Sequence, residues 1–181
     1  MSDKRKREEV GSLPPPFREE DSADKAPLRW HRRAATLPRD KGAYLLLIRL
    51  TAAVPAPQNV APGRSLARGL YVYCGSARGP GGIAARVGRH MRPEKGLRWH
   101  VDHLTSRAAS VRALVFPGGD ECVLLERVLG MEGISVPLPG LGASDCVRCP
   151  AHLLRADGRA VDVADRLQNL FEAVSRGSED G

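Results

Sequence analysis

A chain of 181 residues, 42% hydrophobic and 27% charged, has material for one ordinary domain with a real core, or for a smaller domain with tails. Its 28 lysines and arginines against 21 acidic residues leave a formal charge of +7, which favours a nucleic acid or another polyanion as partner. No apolar run exceeds the six residues 43–48, which excludes a spanning helix and any expectation of a membrane partner, and the opening MSDKRKREEV lacks the apolar segment of a secretory signal.

The expected compartment is therefore the cytoplasm, with nucleoid association if the partner is DNA. Without export, the four cysteines are expected to be reduced thiols or metal ligands, not a disulfide scaffold. Residues 1–40 hold ten basic and eight acidic residues, a net +2, with Lys4-Arg5-Lys6-Arg7, Pro14-Pro15-Pro16 and no apolar periodicity, and they predict a disordered leader. Residues 41–155 hold fifteen basic against seven acidic residues, a net +8, and residues 156–181 hold three against six, a net −3. Eight of the basic residues fall between Arg78 and Arg112, where the only acids are Glu94 and Asp102.

From Gly42 onward apolar runs appear. Residues 43–50 predict a strand, residues 51–69 a loop containing Pro55, Pro57, Pro62 and Gly63, and residues 70–74 a second strand. A glycine-rich turn over 75–82 leads into a helix over 83–91, stopped by Pro93. Residues 111–116 predict a third strand, 121–129 a second helix, and 151–155 a short last strand. The fold class is α+β: a small domain over 41–155 with a short, mainly antiparallel sheet flanked by helices. Beyond it, Val163, Leu167, Leu170, Phe171 and Val174 form one stripe of a C-terminal amphipathic helix over the last segment, with Asp162 as candidate cap and Gly177 as candidate end. That helix is expected to pack on the domain.

Several side chains are placed unusually for a plain core. In the first helix Ile83, Val87 and Met91 form the apolar stripe, and Arg86 and His90 fall on its flank, spaced to clamp a phosphate or to be ordinary boundary residues. Glu121 shares the buried stripe of Leu124, Leu125 and Val128, so its carboxylate needs a metal, another cation or the helix N-terminus. Tyr44, Tyr71 and Tyr73 lie on strands, the last two on one face; beside an arginine and a divalent metal a phenol can take or relay a proton. Cys146, Cys149 and His152 are spaced like a zinc knuckle, whose fourth ligand would come from Cys122 or a histidine of segment 99–103; reduced, partly buried thiols are the alternative. Ser144, His100 and Asp102 make a triad on paper only, without a nucleophile elbow.

Taken in order, Gly42-Ala43-Tyr44, Tyr73-Cys74-Gly75, Arg86 and Glu121 resemble the hallmark positions of the GIY-YIG nuclease superfamily. GAYLL, YVYCGSARG, RVGRH, WHVDHL, EC and SDCVRCPAHL more closely resemble an uncharacterised subfamily sometimes fused to DNA glycosylases of the endonuclease III type, over about residues 41–155. The resemblance implies a DNA endonuclease with one Mg²⁺ or Mn²⁺ ion held by Glu121, Tyr44 as base or water-orienting group, Tyr73 beside it, and Arg86 stabilising charge on the phosphate. His90 joins them as a phosphate or proton-relay contact. Gly75, Ser76, Arg78, Arg89 and His100 are the candidate substrate contacts. Ala43 and Cys74 replace the isoleucines of the superfamily's signatures, and no asparagine lies between Asn59 and Asn169, although many members carry one late in the domain. A non-catalytic nucleic-acid-binding module and a zinc-stapled protein-interaction surface are the alternative readings.

Overall fold

A computed structural model describes residues 28–144 and 146–177, with the side chains of 174–177 excepted. Its elements run β1 (Gly42–Leu50), β2 (Val54–Pro55), β3 (Ser65–Leu66), β4 (Gly69–Ser76), α1 (Gly82–Met91), α2 (Asp102–Thr105), β5 (Ser110–Pro117), α3 (Glu121–Leu129), β6 (Ile134–Ser135), β7 (Leu153–Ala156) and α4 (Ala160–Gly177). Five strands form one antiparallel sheet in the order β5-β1-β4-β7-β6.

The unbroken apolar character of β1 follows from its position. It is an interior strand, with β4 on one side and β5 on the other, and helices cover both sheet faces, so every residue but Arg49 is buried. Tyr44, Leu46 and Ile48 pack with Tyr71 and with Ile83, Val87 and Leu104 of α1 and α2. Ala43, Leu45 and Leu47 face the other way, onto Leu114, Phe116, the Leu124–Val128 stripe of α3, and Val163, Leu167 and Phe171 of α4. The Phe116 and Phe171 rings meet edge to face at 4.9 Å. The first face carries the chemistry; the second anchors it.

The α+β class, the antiparallel sheet and the packed C-terminal helix are as expected from the sequence, and several boundaries differ. The loop over 51–69 holds the small β2–β3 ribbon. Strand β4 extends to Ser76, and β7 occupies 153–156 instead of 151–155. Helix α4 starts at Ala160, so Asp162 sits in its first turn and pairs with Arg159 (both bonds 2.8 Å) instead of capping it; Gly177 is its last residue, and the Val174 side chain lies outside the described residues.

The leader expected over 1–40 gives its last residues to the domain, while 1–27 lie outside the described residues. His31 exchanges two backbone hydrogen bonds with Ala113 of β5, at 2.7 and 2.9 Å, and Trp30 Nε1 donates to the Ala164 carbonyl of α4 at 3.2 Å. The carbonyls of Pro38 and Asp40 accept from the Ala84 and Ile83 amides at 2.8 and 2.9 Å. Helix α1 has no side-chain cap, so this segment satisfies its exposed N-terminal donors. Proline and mixed charge hid that role in the sequence. Among the described residues, no helix is long and apolar enough to cross a membrane.

Candidate active site

The site is built on the β1–β4 pair. Antiparallel register sets Tyr44 directly opposite Gly75. A Cβ at Gly75 would lie 2.4 Å from both Cζ and Oη of Tyr44, so only glycine lets the phenol ring cross β4. Gly42, the other signature glycine, meets the same restriction: its Cβ would lie 2.2 Å from the Phe116 carbonyl oxygen of β5. Tyr73 places its ring 6.2 Å from that of Tyr44, and the His90 ring from α1 lies 5.8 Å from Tyr44 and 6.3 Å from Tyr73.

Behind the tyrosine runs a hydrogen-bonded chain. The Tyr44 hydroxyl is 3.0 Å from His90 Nε2, and His90 Nδ1 is 3.1 Å from Asp102 Oδ1. The other oxygen of Asp102 accepts from the Arg98 and Trp99 amides at 2.9 and 3.0 Å and from Arg89 Nη2 at 3.0 Å. Asp102 is wholly buried. Burial alone would raise its pKa, but hydrogen bonds from His90, Trp99, Arg98 and Arg89 outweigh that and hold it well below the ordinary carboxylate range. As a carboxylate it only accepts, so the proton of His90 sits on Nδ1 and Nε2 presents its lone pair to the Tyr44 hydroxyl.

Burial lowers the pKa of His90, against the raising influence of Asp102, so the ring is neutral near pH 7. Burial pushes both Tyr44 and Tyr73 above their ordinary values, and Arg86 opposes the rise in each. The lowering of phenol pKa by the nearby Arg86 charge is thus present but outweighed by burial. Tyr44 does not ionise by itself at neutral pH, and His90 Nε2 is the acceptor that its hydroxyl faces.

A cleft of about 290 Å³ opens over this chain, lined by Tyr44, Tyr73, Ser76, Arg86, Trp99, His100 and Glu121 among others, with room for a phosphodiester group and a water. Arg86 lies over the Trp99 ring with Cζ 3.9 Å from its centroid, a cation–π contact that holds the guanidinium at the cleft. Glu121 opens α3, where Asp120 caps the helix by accepting from the Cys122 and Val123 amides at 2.9 and 3.2 Å. The Glu121 Oε2 atom is buried with no hydrogen-bond partner. An orphaned carboxylate oxygen beside a cleft fits a hard divalent cation such as Mg²⁺ or Mn²⁺.

Tyr44, Tyr73, Arg86, His90 and Glu121 are therefore brought together, His90 from behind the cleft, and Ser76 and His100 stand on its wall. His100 accepts from the Gly142 amide at 3.3 Å and lies 3.1 Å from the Asn59 amide nitrogen. The other candidate contacts fall elsewhere. Gly75 seats the Tyr44 ring, Arg78 pairs with Asp120 at 3.5 Å near the surface, and Arg89 is committed to Asp102 and the Gly96 carbonyl.

Arg98 was not singled out in the sequence, and Trp99 and Asp102 entered only through the WHVDHL motif and, for Asp102, the paper triad. One of only two acids among eight basic residues, Asp102 was a signal available in the sequence. Ser144 and His100 both reach the cleft, but Asp102 serves His90, so no triad forms.

Cys146 and His152 line the far side of the same cleft. With Cys122 and Cys149 they make a Cys₃His group that could hold a metal ion, their donor atoms all within 4.8 Å of one another. Cys122, one of the two candidate sources of the fourth ligand, is the one that joins; the histidine of segment 99–103 on the cleft, His100, does not.

A family model described as "Domain of unknown function DUF123" matches residues 43–176. Neither a curated protein nor a solved structure matches the chain.

Proposed function

The chain belongs to the DUF123 family, a GIY-YIG-like family, and from that premise we propose that it is a divalent-metal-dependent endonuclease hydrolysing DNA phosphodiester bonds. The observation that carries the proposal is the convergence of Tyr44, Tyr73, Arg86 and Glu121 on one cleft with the His90–Asp102 pair behind Tyr44.

The division of labour follows from the geometry. A phosphodiester in the cleft meets the Arg86 guanidinium, whose planar fork stabilises charge building on the phosphate oxygens. Tyr44 takes a proton from the attacking water as its own passes to His90 Nε2, and the fixed charge of Asp102 stabilises the resulting imidazolium. Tyr73 stands beside Tyr44 and keeps the water in line. Glu121 would hold the Mg²⁺ or Mn²⁺ ion, which supplies Lewis-acid stabilisation of the phosphate and the leaving oxygen. The resemblance of the motif set to a subfamily sometimes fused to DNA glycosylases makes repair the setting we favour.

The test is incubation of purified protein with Mg²⁺ or Mn²⁺ and flap, nicked, abasic and single-stranded DNA. Cleavage that falls by about a hundredfold or more in Glu121→Gln is expected. Equal background from both proteins would overturn the enzyme and leave the binding module, whose affinity weakens with salt but which turns nothing over.

A further inference from the structure

The geometry points to a structural zinc site at Cys122, Cys146, Cys149 and His152, which staples the wall of the cleft to α3. The inference stands on its own residues and does not depend on the nuclease reading. Three thiols and one imidazole are a complete zinc set, since structural sites take four sulfur and nitrogen donors in a tetrahedron. With Zn–S about 2.3 Å and Zn–N about 2.0–2.1 Å, the edges of such a tetrahedron are about 3.4–3.8 Å. Cys122 Sγ and Cys146 Sγ already stand 3.6 Å apart, and the widest separation of 4.8 Å needs only about 1 Å of side-chain adjustment.

A second observation comes from the histidine. His152 is 5% exposed, yet its Nε2 is buried with no hydrogen-bond partner. A buried ring nitrogen without a partner is the signature of a missing acceptor for its lone pair, and a zinc ion beside three sulfurs is that acceptor.

Glu121 and Cys122 are neighbours in the chain, but their chemistries sort different metals. The Cys₃His set suits zinc and is a poor match for Mg²⁺ or Mn²⁺, which prefer oxygen ligands such as Glu121. Four protein ligands leave no open position, so this zinc holds structure and activates no water.

What it holds is specific. Between β6 and β7 the chain runs with little regular structure, tied by Gly140 N to Pro150 O at 2.7 Å and by the His152 and Leu153 amides to Leu141 O at 2.9 and 3.1 Å. This stretch brings Gly142, Ala143 and Ser144 to the cleft. Zinc would join its knuckle and the start of β7 to the capped end of α3, fixing that wall next to Glu121.

Tag-free protein, purified without added metal and analysed for its elements, tests the site. About one zinc per chain is expected, retained through dialysis against Mg²⁺ and lost in Cys122→Ser and Cys149→Ser, while Cys74→Ala, a core thiol outside the group, keeps it. Should those serine variants fail to fold, Co²⁺ reconstitution of the wild type reads the same site through thiolate charge-transfer bands and tetrahedral d–d bands. Zinc below about a tenth of an equivalent together with a Co²⁺ spectrum lacking thiolate bands overturns the site. So does an intact mass two hydrogens low with a Cys122–Cys146 linked peptide, which would make the close pair a disulfide. Loss of DNA cleavage in Glu121→Gln with zinc content unchanged would confirm that the two sites are separate.

Discussion

At the residue scale the proposed hydrolysis turns on a hydrogen-bonded path of three side chains, Tyr44, His90 and Asp102. Asp102→Asn preserves the shape but lets Nδ1 lose its fixed acceptor, so His90 can present the wrong tautomer to Tyr44. Turnover is expected to fall roughly a hundred- to ten-thousand-fold, with DNA affinity little changed. The pH profile carries a further mark. Under the proposed mechanism wild-type turnover is expected to rise with pH through the pKa of His90, which burial places below 6.5. Asp102 raises that pKa, so its removal shifts the acidic limb to lower pH even as the plateau drops; an unmoved limb would show that His90 is not the acceptor.

Gly75→Ala tests the seat of the same tyrosine. It should cost about 1–3 kcal/mol in urea unfolding and most of the activity, since the new Cβ drives into the Tyr44 ring. Gly79→Ala, with nothing within 4 Å, should do neither.

At the element scale the N-terminus of α3 is the junction of the molecule's chemistry, because Glu121 and Cys122 both stand on its first turn. Asp120→Ala removes the side-chain cap and is expected to cost about 1 kcal/mol in a denaturant midpoint. It should also weaken Mn²⁺ binding measured by calorimetry. How far the sequence could be read differs by element. Tyr44, Tyr73, Arg86, His90 and Glu121 were legible because their spacing puts them on the β1–β4 hairpin and on the core-facing sides of two helices, and local periodicity determines that. Asp102 was not, since its partner depends on how the loop after α1 turns back, a tertiary event with no period. Residues 28–40 read as leader because a segment that hydrogen-bonds through its backbone to β5 and α1 leaves little pattern in its side chains. The partner of Arg89, a candidate substrate contact, was hidden for a related reason: its bond to Asp102 spans the same loop.

At the scale of the whole molecule, the proposed DNA partner would give the +8 carried by residues 41–155 a local use, with Arg86 and Arg98 on the cleft. DNA affinity should fall linearly in log–log plots against salt, and Arg86→Ala should lessen the slope by about one phosphate contact. Acid should unfold the protein in two stages. His90 has a lowered folded pKa, so below 6.5 the unfolded state binds the proton more readily and stability falls with pH. Asp102 has a depressed folded pKa, so its contribution is present above 3.8 and is lost as pH drops below that value. Stability curves of Asp102→Asn should lack the lower stage.

The two tryptophans sit on opposite sides of the sheet. Trp30 donates to α4 on the anchoring face, while Trp99 lies in the cleft, with its ring 5.7 Å from that of His90. Protonated imidazole quenches indole emission at such distances and neutral imidazole does so far less. In Trp30→Phe protein the remaining fluorescence becomes an optical titration of His90, readable without DNA, metal or turnover.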